Sequence, residues 1–313
     1  MTVATPSSLY ADLNVDAIAD APLASRTWYG VGGKADVLIS PRDLASLAML
    51  VRRCHRDQVP VRVLGSGANL LVSDAGVDGV VLSLDSPELR SVEYNQQGCV
   101  EAVRAWGGAS TEKLVQELAR RGLAGLEQMA GIPSSIGGAL AMNAGGRFGC
   151  IGDAVHSVAV MTPDGNERVF LRESLAFEYR HTNIPDGIIL WAVLRLREEN
   201  PITVRDRLKE YFSYKKNSQP MSDASSGCMF KNPLLADGTR ESAGRLIDLA
   251  KLKGFRVGSA FVSPKHANFI AVDTVGGRAS DVAAIAQQII SRVFDTHGIM
   301  LEREVVFWGA DIE

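Results

Sequence analysis

The run Ala130-Gly-Ile-Pro-Ser-Ser-Ile-Gly-Gly-Ala-Leu-Ala-Met-Asn-Ala-Gly-Gly146 constrains this chain more than any other part of it. It is too rich in glycine for an unbroken helix and too apolar for a solvated linker. Its backbone must therefore be approached closely, either by another segment or by a flat ligand. Gly137 and Gly138 leave the main chain bare, so a ring or a pyrophosphate can lie against it. A buried loop packed by its own protein is the other reading, and the run alone does not choose between them.

A second glycine loop, Gly65-Ser66-Gly67-Ala68-Asn69, follows a strand expected over Val61–Leu64. Successive N–H groups in such a turn form a nest for an anion. It is not the Rossmann fingerprint, which needs GxGxxG opening a helix; position 70 is Leu, and strand follows. Taken alone, it reads as a tight loop joining two strands.

Around these loops, helical and strand periodicities mix in an α+β pattern. Ser40 and Pro41 read as cap and first residue of a helix whose apolar face is Leu44, Leu47, Ala48, Val51 and Cys54. Strands are expected over 79–84 and 100–105. Ser110 caps a helix with Leu114, Val115, Leu118 and Ala119 on one face, and Gly122 stops it. Val155–Met161 and 168–171 read as a hairpin, and 188–196 as a further strand. The character changes near Asn200-Pro201, where a basic helix over 204–216 begins. Beyond it, helices around 242–252 and 280–294 alternate with strands over 268–272 and 305–308. Residues before Ala21 read as a lead-in or an opening helix.

The 313 residues carry a formal charge of −3, without the basic excess that holds a nucleic-acid backbone. No apolar run approaches the length of a membrane span, and the N-terminus lacks the features of a secretory signal. Cys54, Cys99, Cys150 and Cys228 are scattered and the five histidines do not cluster, so no disulfide framework and no metal are expected. A cytoplasmic protein, a monomer rather than an oligomer, is the expectation.

Three further features carry polar chemistry. In Phe177-Glu-Tyr179-Arg180-His-Thr, the arginine is either a surface ion-pair residue or a fixed fork of donors for a carboxylate or oxyanion. In Ser225-Ser-Gly-Cys228-Met-Phe-Lys231-Asn232-Pro, the cysteine is either a small buried hydrophobe or a reagent. Glu302 and Glu304 are expected on one face of a terminal strand, where solvent is the default for acids.

Together these segments resemble the UDP-N-acetylenolpyruvoylglucosamine reductases. The resemblance rests on TWYGVGGKAD, LGSGANLLVSD, AGIPSSIGGALAMNAGG, FEYRHT, SGCMFKNP, SPKHANFI and GIMLEREV, in that order from about Arg26 to Gly309. It implies a flavoenzyme of the α+β class: a two-lobed FAD-binding domain of the vanillyl-alcohol-oxidase type with a C-terminal α+β substrate-binding domain. The corresponding bounds are a lead-in over 1–20, lobes over 21–85 and 86–200, and a substrate domain over 201–313. The resemblance implies non-covalent FAD on Gly65, Ser66, Gly67, Ala68, Asn69 and Leu70, and on Gly131, Ile132, Pro133, Ser135, Gly137, Gly138, Asn143, Ala144 and Gly145. It implies catalytic roles for Arg180 and Glu304, with the third catalytic position on Cys228, where many members have serine. Ser134 stands where glycine is common. The short segment between Arg180 and Cys228 lacks room for the tyrosine-bearing substrate loop of one branch of the family.

The implied partners are NADPH, which reduces the flavin, and a UDP-sugar bearing an enolpyruvyl ether. Tyr179, Lys215, Lys231, Asn232 and His266 are the candidate substrate contacts. Two alternatives stand beside this reading: a flavin oxidase of the same fold, and a flavin- or nucleotide-binding protein without catalysis.

Overall fold

The computed structural model describes residues 6–96, 98–273 and 275–312; the start of the expected lead-in, residues 1–5, lies outside them. The chain forms two compact units. One takes the residues up to Ala19 with Asp36–Ser66 and Gly79–Lys215. The other takes Asp20–Ala35, Gly67–Asp78 and the residues from Lys216 onward.

In the first unit, a four-stranded sheet has the order Val15–Pro22, Lys34–Pro41, Val77–Ser83, Val61–Leu64. The last two pair in parallel, which places the end of Val61–Leu64 beside the first glycine loop. Helix α1, Leu44–Arg56, buries Leu47, Leu50, Val51 and Cys54, while Leu44 and Ala48 of the face read from the sequence are half-buried. Its cap differs from expectation. Ser40 and Pro41 finish a strand, and Asp43 caps α1, because its extended backbone lets the carboxylate accept from Ser46 N at 2.7 Å.

A second sheet of the same unit has five strands in the order Glu167–Leu171, Val155–Met161, Ile188–Arg195, Ala102–Trp106, Val92–Glu93, all antiparallel neighbours. The central strands are apolar along most of their length and mostly buried, as strands covered on both faces are. Helix α2, Thr111–Arg121, is capped by Ser110 and stopped by Gly122 in the left-handed region, as the sequence predicts. The glycine-rich run contains only a six-residue helix, α3, Ile136–Ala141, started by the Ser135 hydroxyl. Helix α4, Pro201–Ser218, packs Val204 with Ala119 and Ala124. Its Arg207 forks between Glu127 and Glu199. These contacts hold α4 to the first unit, which runs as far as Lys215.

The second unit holds a three-stranded antiparallel sheet, Arg256–Val257, Ala260–Val262, Ile270–Val272, with helices α5, Ala243–Leu249, and α6, Ala279–His297. Helix α6 buries Ala279, Val282, Ile285, Ala286, Ile289 and Val293, an i, i+3, i+4 stripe into the unit's core. Asp74 satisfies its start by accepting from Ala279 N at 2.8 Å and Ser280 N at 3.0 Å. Leu70–Val72 and Val306–Trp308 form a parallel pair. No helix among the described residues is long and apolar enough to cross a membrane.

Candidate functional site

Within the first unit, the two glycine loops meet. The Ser66 hydroxyl donates to Pro133 O at 3.0 Å, and a Cβ added to Gly65 would stand 2.6 Å from Ser135 Oγ. The second loop is anchored from behind: Gly137 N donates to Gly107 O at 2.8 Å, and Thr111 N to Ser134 O at 3.0 Å. Ser134 gives its hydroxyl to Thr111 at 3.0 Å. Gly131 (φ +66°) is required by packing, since a Cβ there would approach the Phe212 ring at 3.1 Å. Gly138 and Gly146 differ. A Cβ on Gly138 would meet only Ser135 Oγ, at 3.2 Å, and on Gly146 nothing within 4 Å. The run therefore combines glycines that its own protein fills with glycines whose backbone lies open. Open backbone of this kind fits a flat cofactor. Ala144 is buried, and Ile132, Pro133 and Gly145 are half-buried.

The FEYR turn is pinned to this run. Phe177–Glu178 and His181–Thr182 pair antiparallel, leaving Tyr179 and Arg180 as the two turn residues. Arg180 has φ +55°, a left-handed position that turns normally give to glycine or asparagine. A bulky residue kept there at a cost in backbone strain marks a functional candidate. Arg180 Nη2 donates to Gly145 O at 3.1 Å. Buried Asn143 donates to Glu178 O at 2.7 Å and accepts from Gly152 N at 3.1 Å, so its amide serves the protein frame.

Lys215, on the last turn of α4, is only 7% exposed and its Cδ lies beside Gly131. Burial, with the charge of Arg180 adding to it, holds the Lys215 ammonium down to about 8. An anion beside this buried ammonium would favour its charged form.

In the second unit, Gly67 (φ +67°) is glycine because a Cβ would fall 2.0 Å from Arg26 O; the requirement is the chain's own packing. Asn69 Nδ2 donates to Glu304 O at 3.1 Å, and the Ser226 hydroxyl to Leu70 O at 3.2 Å. Ala68 stands between these anchored residues. Glu304 N donates to Met229 O at 2.7 Å, which sets the acid's backbone against the segment that follows Cys228. Glu302 and Glu304 precede the terminal strand, which starts at Val306. They therefore do not share its face: Glu302 turns outward to pair with Lys231, while Glu304 is half-buried. Asn232 accepts from Ala243 N at 3.1 Å at the start of α5. His266 Nδ1 faces Asn268 N at 3.3 Å, and burial holds the imidazole below its ordinary range.

Sequence reasoning passed over Asn268, whose side chain bonds Phe230, and the Phe148–Tyr211 stack, whose ring centroids are 3.9 Å apart. The available signals were an amide placed directly before an apolar strand, and three aromatics (Tyr211, Phe212, Tyr214) close together on a helix rich in charge.

Comparison with known proteins gives concordant matches. The family described as "FAD binding domain" matches residues 35–170, and that described as "UDP-N-acetylenolpyruvoylglucosamine reductase, C-terminal domain" matches residues 219–308. The chain is 34% identical to a UDP-N-acetylenolpyruvoylglucosamine reductase of Moorella thermoacetica over 98% of each chain. It is 38% identical to that of Geobacter metallireducens over 97% of each. The crystal structure of the reductase from Thermus caldophilus has a TM-score of 0.78 and 38% identity, covering 94% of this chain and 99% of that one.

Proposed function

Because the chain belongs to the UDP-N-acetylenolpyruvoylglucosamine reductase family, we propose a reading of its site residue by residue. The protein is an FAD-dependent oxidoreductase that reduces UDP-N-acetylglucosamine enolpyruvate to UDP-N-acetylmuramate in peptidoglycan precursor synthesis. Whole-length identity to reductases carries this conclusion, and the oxidase and non-catalytic readings are not favoured. FAD held by the two glycine loops would supply the redox chemistry that couples NADPH oxidation to reduction of the enolpyruvyl double bond.

The residues that hold the cofactor are Gly65 to Leu70 and those of the second loop from Gly131 to Gly145. The bare backbone at Gly138 supports this assignment, as does the Ser66–Pro133 bond that fixes one loop against the other. Asn143 acts there by holding the loop in shape.

Hydride arriving at the terminal methylene of the substrate leaves charge on the carboxylate-bearing fragment, as an enolate. Arg180 stabilises that charge, which develops only in the transition state; its strained turn and its anchor on Gly145 support the role. Glu304 orients or polarises the enolate. Cys228, as a neutral thiol, donates the proton to the carbon bearing the carboxylate. Lys215 meets the substrate's diphosphate, and Tyr179, Lys231, Asn232 and His266 complete its contacts. The substrate-binding part begins within α4 and continues through the C-terminal region. We further propose a cytoplasmic monomer, a setting that suits four cysteines none of which forms a disulfide.

The test is product identity. Purified protein supplied with NADPH and the enolpyruvyl nucleotide should yield a product two mass units heavier than that substrate, with the retention time of UDP-N-acetylmuramate. Oxidation of NADPH without that product would contradict the reading.

A further inference from the structure

The segment Cys228 to Lys231 is a short extended piece held from two sides. On one side Cys228 pairs antiparallel with Phe269, and Met229 N donates to Asn268 O at 2.8 Å. On the other, Phe230 pairs antiparallel with Arg303; Lys231 N donates to Glu302 O at 2.8 Å and Glu304 N to Met229 O at 2.7 Å. Cys228, Lys231 and Glu304 are thus three outlets of one small frame.

One side chain locks that frame. Asn268 is 3% exposed. Its Oδ1 accepts from Phe230 N at 3.0 Å, and its Nδ2 donates to Phe230 O at 2.8 Å. The side-chain amide therefore pairs with the backbone of Phe230 as a peptide group would, while the main-chain carbonyl of the same residue takes Met229 N. Three buried hydrogen bonds from one residue fix two consecutive residues, and those two stand directly between Cys228 and Lys231.

We infer that Asn268 is a positioning residue for the step that completes the product. By holding Met229 and Phe230 in register it aims Cys228 and, through the Glu304–Met229 bond, sets the backbone of Glu304. The inference rests on the reading of Cys228 and Glu304 given above. Few side chains can do this. Aspartate keeps the acceptor and loses the donor; serine is too short for both bonds; alanine leaves the N–H and C=O of Phe230 buried and unpaired, a costly state. A displacement of about 1 Å at a reacting group costs on the order of 100-fold in rate, so the frame need not unfold for chemistry to fail.

The experiment compares Asn268→Asp and Asn268→Ala with the parent holoenzyme in four readouts. These are flavin reduction by NADPH, flavin re-oxidation by the enolpyruvyl substrate, the alkylation rate at Cys228 followed by peptide mass, and the FAD content. The inference expects Asn268→Asp to keep FAD and normal flavin reduction. Transfer to the substrate should drop ~100-fold, with a changed alkylation rate at Cys228. Asn268→Ala should show the same pattern more strongly; if it does not fold, the isosteric aspartate variant decides alone. Parent-like transfer in Asn268→Asp overturns the positioning role, and so does an equal fall in both half-reactions, which marks general loosening. Cys228→Ala, run alongside, tests the separate reading: transfer at the parent rate in that variant overturns the role of Cys228.

Discussion

The Ser66 hydroxyl donates to the carbonyl of Pro133 at 3.0 Å. It ties the loop after Val61–Leu64 to a loop far along the chain, and Gly65 must lack a side chain for Ser135 to fit beside it. Two glycine runs that are ambiguous apart become one framework once they touch.

Glycine substitutions separate framework from cradle. Gly67→Ala puts a Cβ 2.0 Å from Arg26 O in a left-handed residue, so it should destabilise the fold, by roughly 1–3 kcal/mol or more. Gly138→Ala meets only a serine hydroxyl and stands in a helix, so the thermal midpoint should hold or rise, while FAD affinity falls. Thermal melts and flavin content of the two proteins check this. Full flavin retention in Gly138→Ala would remove that residue from the cofactor site.

Arg180 occupies a left-handed turn position at a cost of about 1–2 kcal/mol. Arg180→Gly should therefore leave the protein as stable as the parent or more so, while abolishing transfer to the enolpyruvyl substrate. Arg180→Lys keeps a charge and loses the planar fork, and should not restore transfer. Flavin reduction by NADPH should change little in either variant. Parent-like turnover in Arg180→Lys would contradict the assignment.

Lys215 gives a pH signature. Its native value is lowered to about 8 from an ordinary 10.5. Between those values the unfolded chain binds more protons than the native one, so stability should rise with pH across that window. Below about 8 the penalty of the buried charge is fully present. Lys215→Met should flatten this rise in denaturant titrations. In kinetics, KM for the UDP-sugar should increase as pH passes 8 and the ammonium is lost, an increase that Lys215→Met should replace with a uniformly high KM.

Cys228 brings chemistry that a serine would not. Alkylation of the thiol removes its proton and should inactivate. Cys228→Ser should keep partial turnover and resist the alkylating agent. Cys228→Ala should accept reducing equivalents from NADPH and stall before product. Stopped-flow comparison of the two half-reactions reads all three.

Much of the fold was legible because its signals are local. The Ser110 cap with the Gly122 stop, the Val155–Met161 hairpin and the existence of α6 follow from periodicity and capping. The cap of α1 was misplaced because Ser40-Pro41 mimics a start, and only the strand pairing shows that those residues are already used. The anchoring of α4 was invisible because Arg207 reaches Glu127 across 80 positions. The site motifs were readable as a set, but their division of labour was not. Sequence does not show that the Asn143 amide also bonds Glu178 and Gly152, or that Gly67 backs closely onto Arg26 O. Asn268 escaped notice because its bonds cross 38 positions to Phe230.

The most direct measurement is an anaerobic one. The yellow holoenzyme is bleached with one equivalent of NADPH, and the enolpyruvyl substrate is then added while the flavin absorbance is followed. The account predicts rapid and complete return of the oxidised flavin spectrum, with UDP-N-acetylmuramate formed in equal amount. A flavin that stays reduced until oxygen is admitted would contradict it.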